Sequence, residues 1–192
     1  MEDRSFTYVS NFLKPVMKEG ERLVFNSRGI DYKFEIYLNG EKLLRQEGMF
    51  TPVRLDFTRL LKVNNELRIK IFPIPKKHQE PADRSQASAS VKPAVSYGWD
   101  WHPRLVPSGI WDETWLEVQP ASHLDEVSVL YTLNDDLDKA YVKVEAVGRN
   151  LSDCSLAWSL ADSSGNKLDL GYLNVYNEKG VFYTEIANPE LW

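Results

Sequence analysis

Tyr32-Lys33-Phe34-Glu35-Ile36-Tyr37-Leu38-Asn39-Gly40-Glu41-Lys42-Leu43-Leu44 decides how the rest of the chain folds. Tyr32, Phe34, Ile36 and Leu38 alternate with Lys33, Glu35, Tyr37 and Asn39. A period of two sends one set to a buried face and the other outward, which predicts a strand with one buried side. Asn39-Gly40 follows, the strongest short hairpin signal, because both central turn residues need positive φ. The return strand runs through Lys42-Leu43-Leu44.

The same pattern spreads outward. Leu23-Val24-Phe25 is a short apolar run, and Asn26-Ser27-Arg28-Gly29 punctuates it as a turn. Before it, Phe6-Thr7-Tyr8-Val9 reads as a strand. Downstream, Val53, Leu55 and Phe57 alternate, Thr58 to Leu61 reads as a helical turn, and Asn64-Asn65 as another turn. Leu67, Ile69 and Ile71 then alternate with Arg68 and Lys70. Short strands at this spacing, with little helical periodicity, predict a β-sandwich. Gly29, Gly40 and Gly48 read as turn residues.

Composition sets outer bounds. The 192 residues are 43% hydrophobic and 27% charged, an ordinary globular balance. A formal net charge of −5 argues against a nucleic-acid backbone as partner. The one cysteine, Cys154, leaves no internal disulfide framework. No apolar run approaches the roughly 20 residues of a membrane span, and Met1 to Ser10 has neither a basic nor an apolar leader segment.

Pro73 to Lys92 breaks the strand rhythm. It holds Pro73, Pro75 and Pro81, the charged stretch Lys76-Lys77-His78, and a Ser/Ala run from Ser85 to Ser90. It reads as a long loop, and such loops are functional or mobile. Lys76-Lys77 reads as a solvated pair, with an anionic ligand as the alternative. The loop leads into Ser96-Tyr97-Gly98-Trp99-Asp100-Trp101-His102-Pro103-Arg104, and the two can share a mouth. Trp99, Trp101 and Trp111 are three of the chain's six tryptophans. Aromatic faces pack on the C–H faces of sugars, and a carboxylate accepts bonds from their hydroxyls. The alternative is a plug, with tryptophans closing the end of a sandwich and Asp100 capping a turn. On residue types alone the plug leads, because buried Trp is commoner in cores than in sites.

Thr114 to Val118 forms a strand ending at Pro120, and Pro120-Ala121-Ser122 reads as a domain boundary. The pattern then restarts with Val127, Val129 and Tyr131, and with Ala140, Val142, Val144 and Ala146. Leu156, Trp158 and Leu160 follow, then Leu168 and Leu170, then Val181 to Ile186. All strands and turns, this region suits a small immunoglobulin-like sandwich, which typically needs about 100 residues. Trp158 reads as core.

Three stretches carry a resemblance. Tyr97-Gly98-Trp99-Asp100-Trp101, Pro103 and Gly109-Ile110-Trp111 resemble the Gly-Trp-Asp-Trp-x-Pro … Gly-Ile-Trp signature of β-mannosidase-like family 2 glycoside hydrolases. Gly29-Ile30-Asp31, Tyr37-Leu38-Asn39-Gly40, Gly48-Met49-Phe50, Pro52 and Asp56-Phe57-Thr58 resemble that family's amino-terminal sugar-binding domain. Asn188-Pro189-Glu190-Leu191-Trp192 resembles the entry to its catalytic part. The resemblance implies an all-β chain: a galactose-binding-like jelly-roll β-sandwich over residues 1–119, truncated at its start, then an immunoglobulin-like β-sandwich over residues 120–192, truncated at its end.

The resemblance also implies a function. In the family, two glutamates on a (β/α)₈ barrel of about 250 residues do the chemistry, and this chain stops where the barrel begins. No catalytic residue is therefore expected here, and the chain alone is expected to be inactive. The sugar-binding domain lends its Trp-Asp loop to the barrel's pocket. Carried over, Trp99 borders the terminal sugar and Asp100 binds its hydroxyls, with Trp101 and Trp111 as packing residues. His102 stands where the family usually has Gly, which leaves the sugar preference open. The expected partner is a carbohydrate, the terminal β-linked sugar of an oligosaccharide, with homo-oligomerisation through open strand edges. No cofactor is expected. His78, His102 and His123 lack zinc-ligand spacing, and no phosphate loop or nucleophile elbow appears. The resemblance alone points to a periplasmic or secreted parent. The alternative function is a free-standing two-domain carbohydrate-binding or adhesion protein.

Overall fold

A computed structural model describes residues 2–152 and 154–191 of the chain. Trp192, the last residue of the Asn188–Trp192 motif, lies outside the described residues, as does Met1. The chain divides into two compact units, residues 1–119 and 120–192.

The first unit holds nine strands. They are β1 Phe6–Leu13, β2 Arg22–Ser27, β3 Ile30–Asp31, β4 Lys33–Leu38, β5 Glu41–Glu47, β6 Val53–Asp56, β7 Asn64–Phe72, β8 Gly109–Ile110 and β9 Thr114–Gln119. One antiparallel sheet has the order β1-β7-β4-β5, a second β6-β2-β9, and β3 pairs with β8. The Asn39-Gly40 hairpin is present: Leu38 pairs with Glu41, and both turn residues have positive φ (53° and 88°). Asn39 also ties the turn to β7. Its amide donates to the Leu60 carbonyl at 2.8 Å, and its side-chain oxygen accepts from Glu66 N at 3.0 Å.

Alternation places the core as expected. Phe34, Ile36 and Leu38 of β4 meet Ile69 and Ile71 of β7, and Leu23 and Phe25 of β2 close the other side. Phe25 stacks on Phe57, with ring centroids 5.6 Å apart. Asn64-Asn65 is no turn. It begins β7, pairing with Phe12 and Leu13 of β1, because buried Asn65 satisfies itself on Lys62 and Asn39 rather than on water. Glu35 points outward from β4 yet is buried, since Tyr37, Lys42 and Arg45 close over it.

The Pro73–Lys92 segment is not simply solvated. It contributes Ile74 and Ala87 to a second small core with Tyr32, Met49, Tyr97 and Val106. Nor is Lys76 a solvated cation. Its ammonium is buried and sits 2.9 Å from both Glu2 and Asp3, so the basic pair is split between an internal ion cluster and an exposed Lys77.

The second unit holds β10 His123–Leu133, β11 Lys139–Arg149, β12 Leu156–Ala161, β13 Lys167–Leu173, β14 Val175–Tyr176 and β15 Lys179–Ala187. One sheet has the order β10-β11-β15-β14, and the other is the β12-β13 pair. Trp158 of β12 stacks on Phe182 of β15 at 4.1 Å. Ala140, Val142 and Ala146 of β11 are buried. Tyr131, Val129 and Val127 of β10 pair with Val142, Val144 and Ala146, so they share that face, yet they stay exposed.

Candidate functional site

The site is a tip built by nested pairings. Ile30–Asp31 of β3 pairs with Gly109–Ile110 of β8 at the base. Within the enclosed segment, Leu105 N donates to Ser96 O at 2.9 Å. At the end, Trp99 N donates to His102 O (2.8 Å) and His102 N to Trp99 O (3.2 Å), leaving Asp100 and Trp101 as the turn. Gly98 enters this turn with φ 107°, a conformation L side chains rarely adopt.

The plug reading fails here. Trp99 is 45% exposed and Trp101 75% exposed, so neither fills the end of a sandwich. Trp101 is not the packing residue expected; among the described residues its ring contact is the edge of His102, at 6.0 Å. The exposed Asp100 carboxylate caps nothing and bonds to no other described residue. Trp111 is different. Its indole N–H donates to the Met49 carbonyl at 3.0 Å, and its ring meets Phe50 edge-on at 5.9 Å. A Cβ on Gly29 would collide with that ring, so Gly29 is required by close approach and not by a turn.

The long loop supplies what the residue pattern missed. Asp83 caps the short helix Arg84–Ala89 by accepting from Ser85 N at 2.9 Å. That cap aims Arg84 at the tip, and its guanidinium lies 3.5 Å from the Trp99 ring centroid. Arg84 makes no ion pair among the described residues, so its donors lie over the ring of the residue that precedes Asp100. Ser85 also meets His78 Nε2 at 2.9 Å. Asp83 holds the serine and not the imidazole, so no proton relay to a nucleophile results. Ser85's hydrogen bonds hold the Asp83 carboxyl below its ordinary range.

Beneath the tip lies a charged cluster. Arg104 spans Glu2 with both Nε (3.2 Å) and Nη2 (2.7 Å), and Lys76 meets the same carboxylate. Burial pushes the Glu2 carboxyl up, but Arg104 and Lys76 outweigh it and hold it below its ordinary range. Arg104 also lies over the Tyr97 ring at 5.2 Å. Among the described residues, no group of three His, Cys, Asp or Glu side chains converges as a metal site. The arrangement can contact a hydroxyl-rich ring through an aromatic face, a carboxylate and a guanidinium.

The β-mannosidase B of Aspergillus fumigatus (strain CBS 144.89 / FGSC A1163 / CEA10) is 28% identical over 210 aligned residues, covering 100% of this chain and 24% of that protein. The β-mannosidase B of Thermothelomyces thermophilus is 30% identical across 99% of this chain and 24% of its own length. The chain thus spans about a quarter of the curated relatives it matches. Among solved structures, the β-D-mannosidase of Dictyoglomus thermophilum superposes with a TM-score of 0.73 at 25% identity, over 100% of this chain and 25% of that one. An FMN-binding β-glucuronidase from Facaelibacterium prausnitzii L2-6 gives 0.70 at 19% identity, over 98% of this chain and 28% of that one, and shares the fold. Residues 1–112, which hold β1 to β8 and the whole Trp99 tip but not β9, match the family described as glycosyl hydrolase 2 galactose-binding domain-like, and the chain belongs to that family.

Proposed function

We propose that this chain is the non-catalytic amino-terminal part of an exo-acting β-mannosidase-like glycoside hydrolase that cleaves terminal β-glycosidic bonds. Residues 1–119 form its sugar-binding domain and residues 120–192 an immunoglobulin-like one. Trp99 borders the terminal sugar, and Asp100 accepts hydrogen bonds from its hydroxyls. One observation carries the reading: the Asp100 carboxylate is presented on a pinned turn and has no partner among the other described residues. A carboxylate kept for folding would be capping a turn or pairing with a cation.

Asp100→Ala separates the roles. In the full-length enzyme the hydroxyls lose a charged acceptor, and kcat/KM for 4-nitrophenyl β-D-mannopyranoside is expected to fall about 10- to 150-fold. The melting temperature of the 192-residue chain is expected to stay unchanged. An unaltered kcat/KM removes Asp100 from the site. The chain by itself is expected not to turn over aryl β-mannosides. Open strand edges invite pairing, so self-association is part of the proposal. A monodisperse monomer at high micromolar concentration, by light scattering, argues against it.

A further inference from the structure

The tip hangs on one dipeptide. Asp31 pairs through its backbone with Gly109, at the carboxyl end of the segment 92–109. Its side chain bonds to the ammonium of Lys92, at the segment's amino end. Both side chains are nearly inaccessible, at 3% and 2% exposure. The next residue, Tyr32, reinforces the same clamp, its hydroxyl accepting from Val91 N at 3.2 Å. Between these anchors the segment has one short helix, Ala94–Tyr97, and the two rungs Ser96–Leu105 and Trp99–His102. Nothing so far described needs a buried ion pair: the second core under the loop is apolar, and the Trp99 turn closes by backbone bonds.

We propose that Asp31, acting through Lys92, is the positioning residue of the Trp99–Asp100 tip. An apolar contact tolerates sliding, because neighbouring registers bury similar area. A buried ion pair does not, because moving Lys92 by one residue leaves two charges uncompensated in the interior. Asp31 grips the two ends by different means, backbone ladder and charge, so the enclosed hairpin is held in one register. The glycosidic role of the tip rests on the function proposed above, while the clamp itself does not.

The test uses the pair replacement Asp31→Leu/Lys92→Met, which keeps the branching of the Asp and the unbranched shape of the Lys and leaves no lone buried charge, so the fold is expected to be retained. Amide hydrogen exchange of the 192-residue chain is read by NMR. The Trp99, His102 and Leu105 amides are expected to exchange on the order of 10-fold faster, with β4 and β7 unchanged. Wild-type protection at the tip overturns the proposal. So does a uniform loss that includes β4 and β7, which marks a general stabilising pair.

A double-mutant cycle in the full-length enzyme supplies the second readout. The pair replacement is expected to lower kcat/KM alone, and to add nothing once Asp100 is Ala. Additive losses overturn positioning through Asp100. If Asp100→Ala has no effect while the tip amides still loosen, the sugar role fails and the clamp stands.

Discussion

The two units are written in the same alternating code and end differently. In the first, Phe34 and Ile36 of β4 are 0% exposed, because a second sheet lies across them. In the second, Val129 and Tyr131 of β10 occupy equivalent core-side positions, in register with Val144 and Val142, yet are 61% and 63% exposed. The β12-β13 pair reaches Phe182 through Trp158 but leaves the face of β10 uncovered. Alternation therefore decides which side of a strand a residue takes. Whether that side is buried depends on an opposing layer, and the layer is not encoded in the strand.

Substitutions that leave holes or lone charges test this most severely. Phe34→Ala is expected to cost about 3–5 kcal/mol, because the cavity lies between two sheets that cannot collapse onto it; urea unfolding followed by circular dichroism reads it. Lys92→Met is expected to reach a similar size, about 3–5 kcal/mol, by leaving the Asp31 carboxylate unpaired in the interior. A loss below about 1 kcal/mol would mean that the site relaxes or admits water.

Acid has an intermediate effect. The Tyr37 hydroxyl bonded to Glu35 at 2.5 Å, then Lys42 and Arg45, hold that carboxyl below its ordinary value of 4.5 against the opposing pull of burial. Glu2 is lowered as well. In both, the unfolded chain takes up the proton first. Their stabilisation is present above pH 4.5 and is lost as pH falls through the folded values. Asp31 has the opposite sign: burial raises its carboxyl against the pull of Lys92, so its ionisation costs stability as pH rises above 3.8. Urea midpoints are expected to fall on acidification, and Glu35→Gln to flatten that fall. A slope unchanged by Glu35→Gln would remove Glu35 from the account.

The smallest effect sharpens the comparison. Val129→Ala on the open face of β10 is expected to change stability by less than about 0.5 kcal/mol, despite a pattern indistinguishable from that of β4. A loss like that of Phe34→Ala would show that β10 is covered in solution, and would support the self-association proposed above.

The amino-acid pattern by itself determined most of the long strands, the faces they turn and the Asn39-Gly40 hairpin, because these follow from φ, ψ and a period of two among near neighbours, but it misread Asn26-Ser27 and Asn64-Asn65, which are strand and not turn. Resemblance picked out the Trp99-Asp100-Trp101 block as a unit and Trp111 as a packing residue, but not that Trp101 is exposed. Only the tertiary structure decided what holds the tip. Arg84 reaches Trp99 from a loop that reads as solvated, Lys76 turns inward to Glu2, and Lys92 meets Asp31 across a sequence separation of 61. Such pairs carry no periodicity, since a charge is buried only where the folded chain brings its partner to the same point. An isolated Lys or Asp in a sequence therefore reads as solvated until the fold supplies the other half.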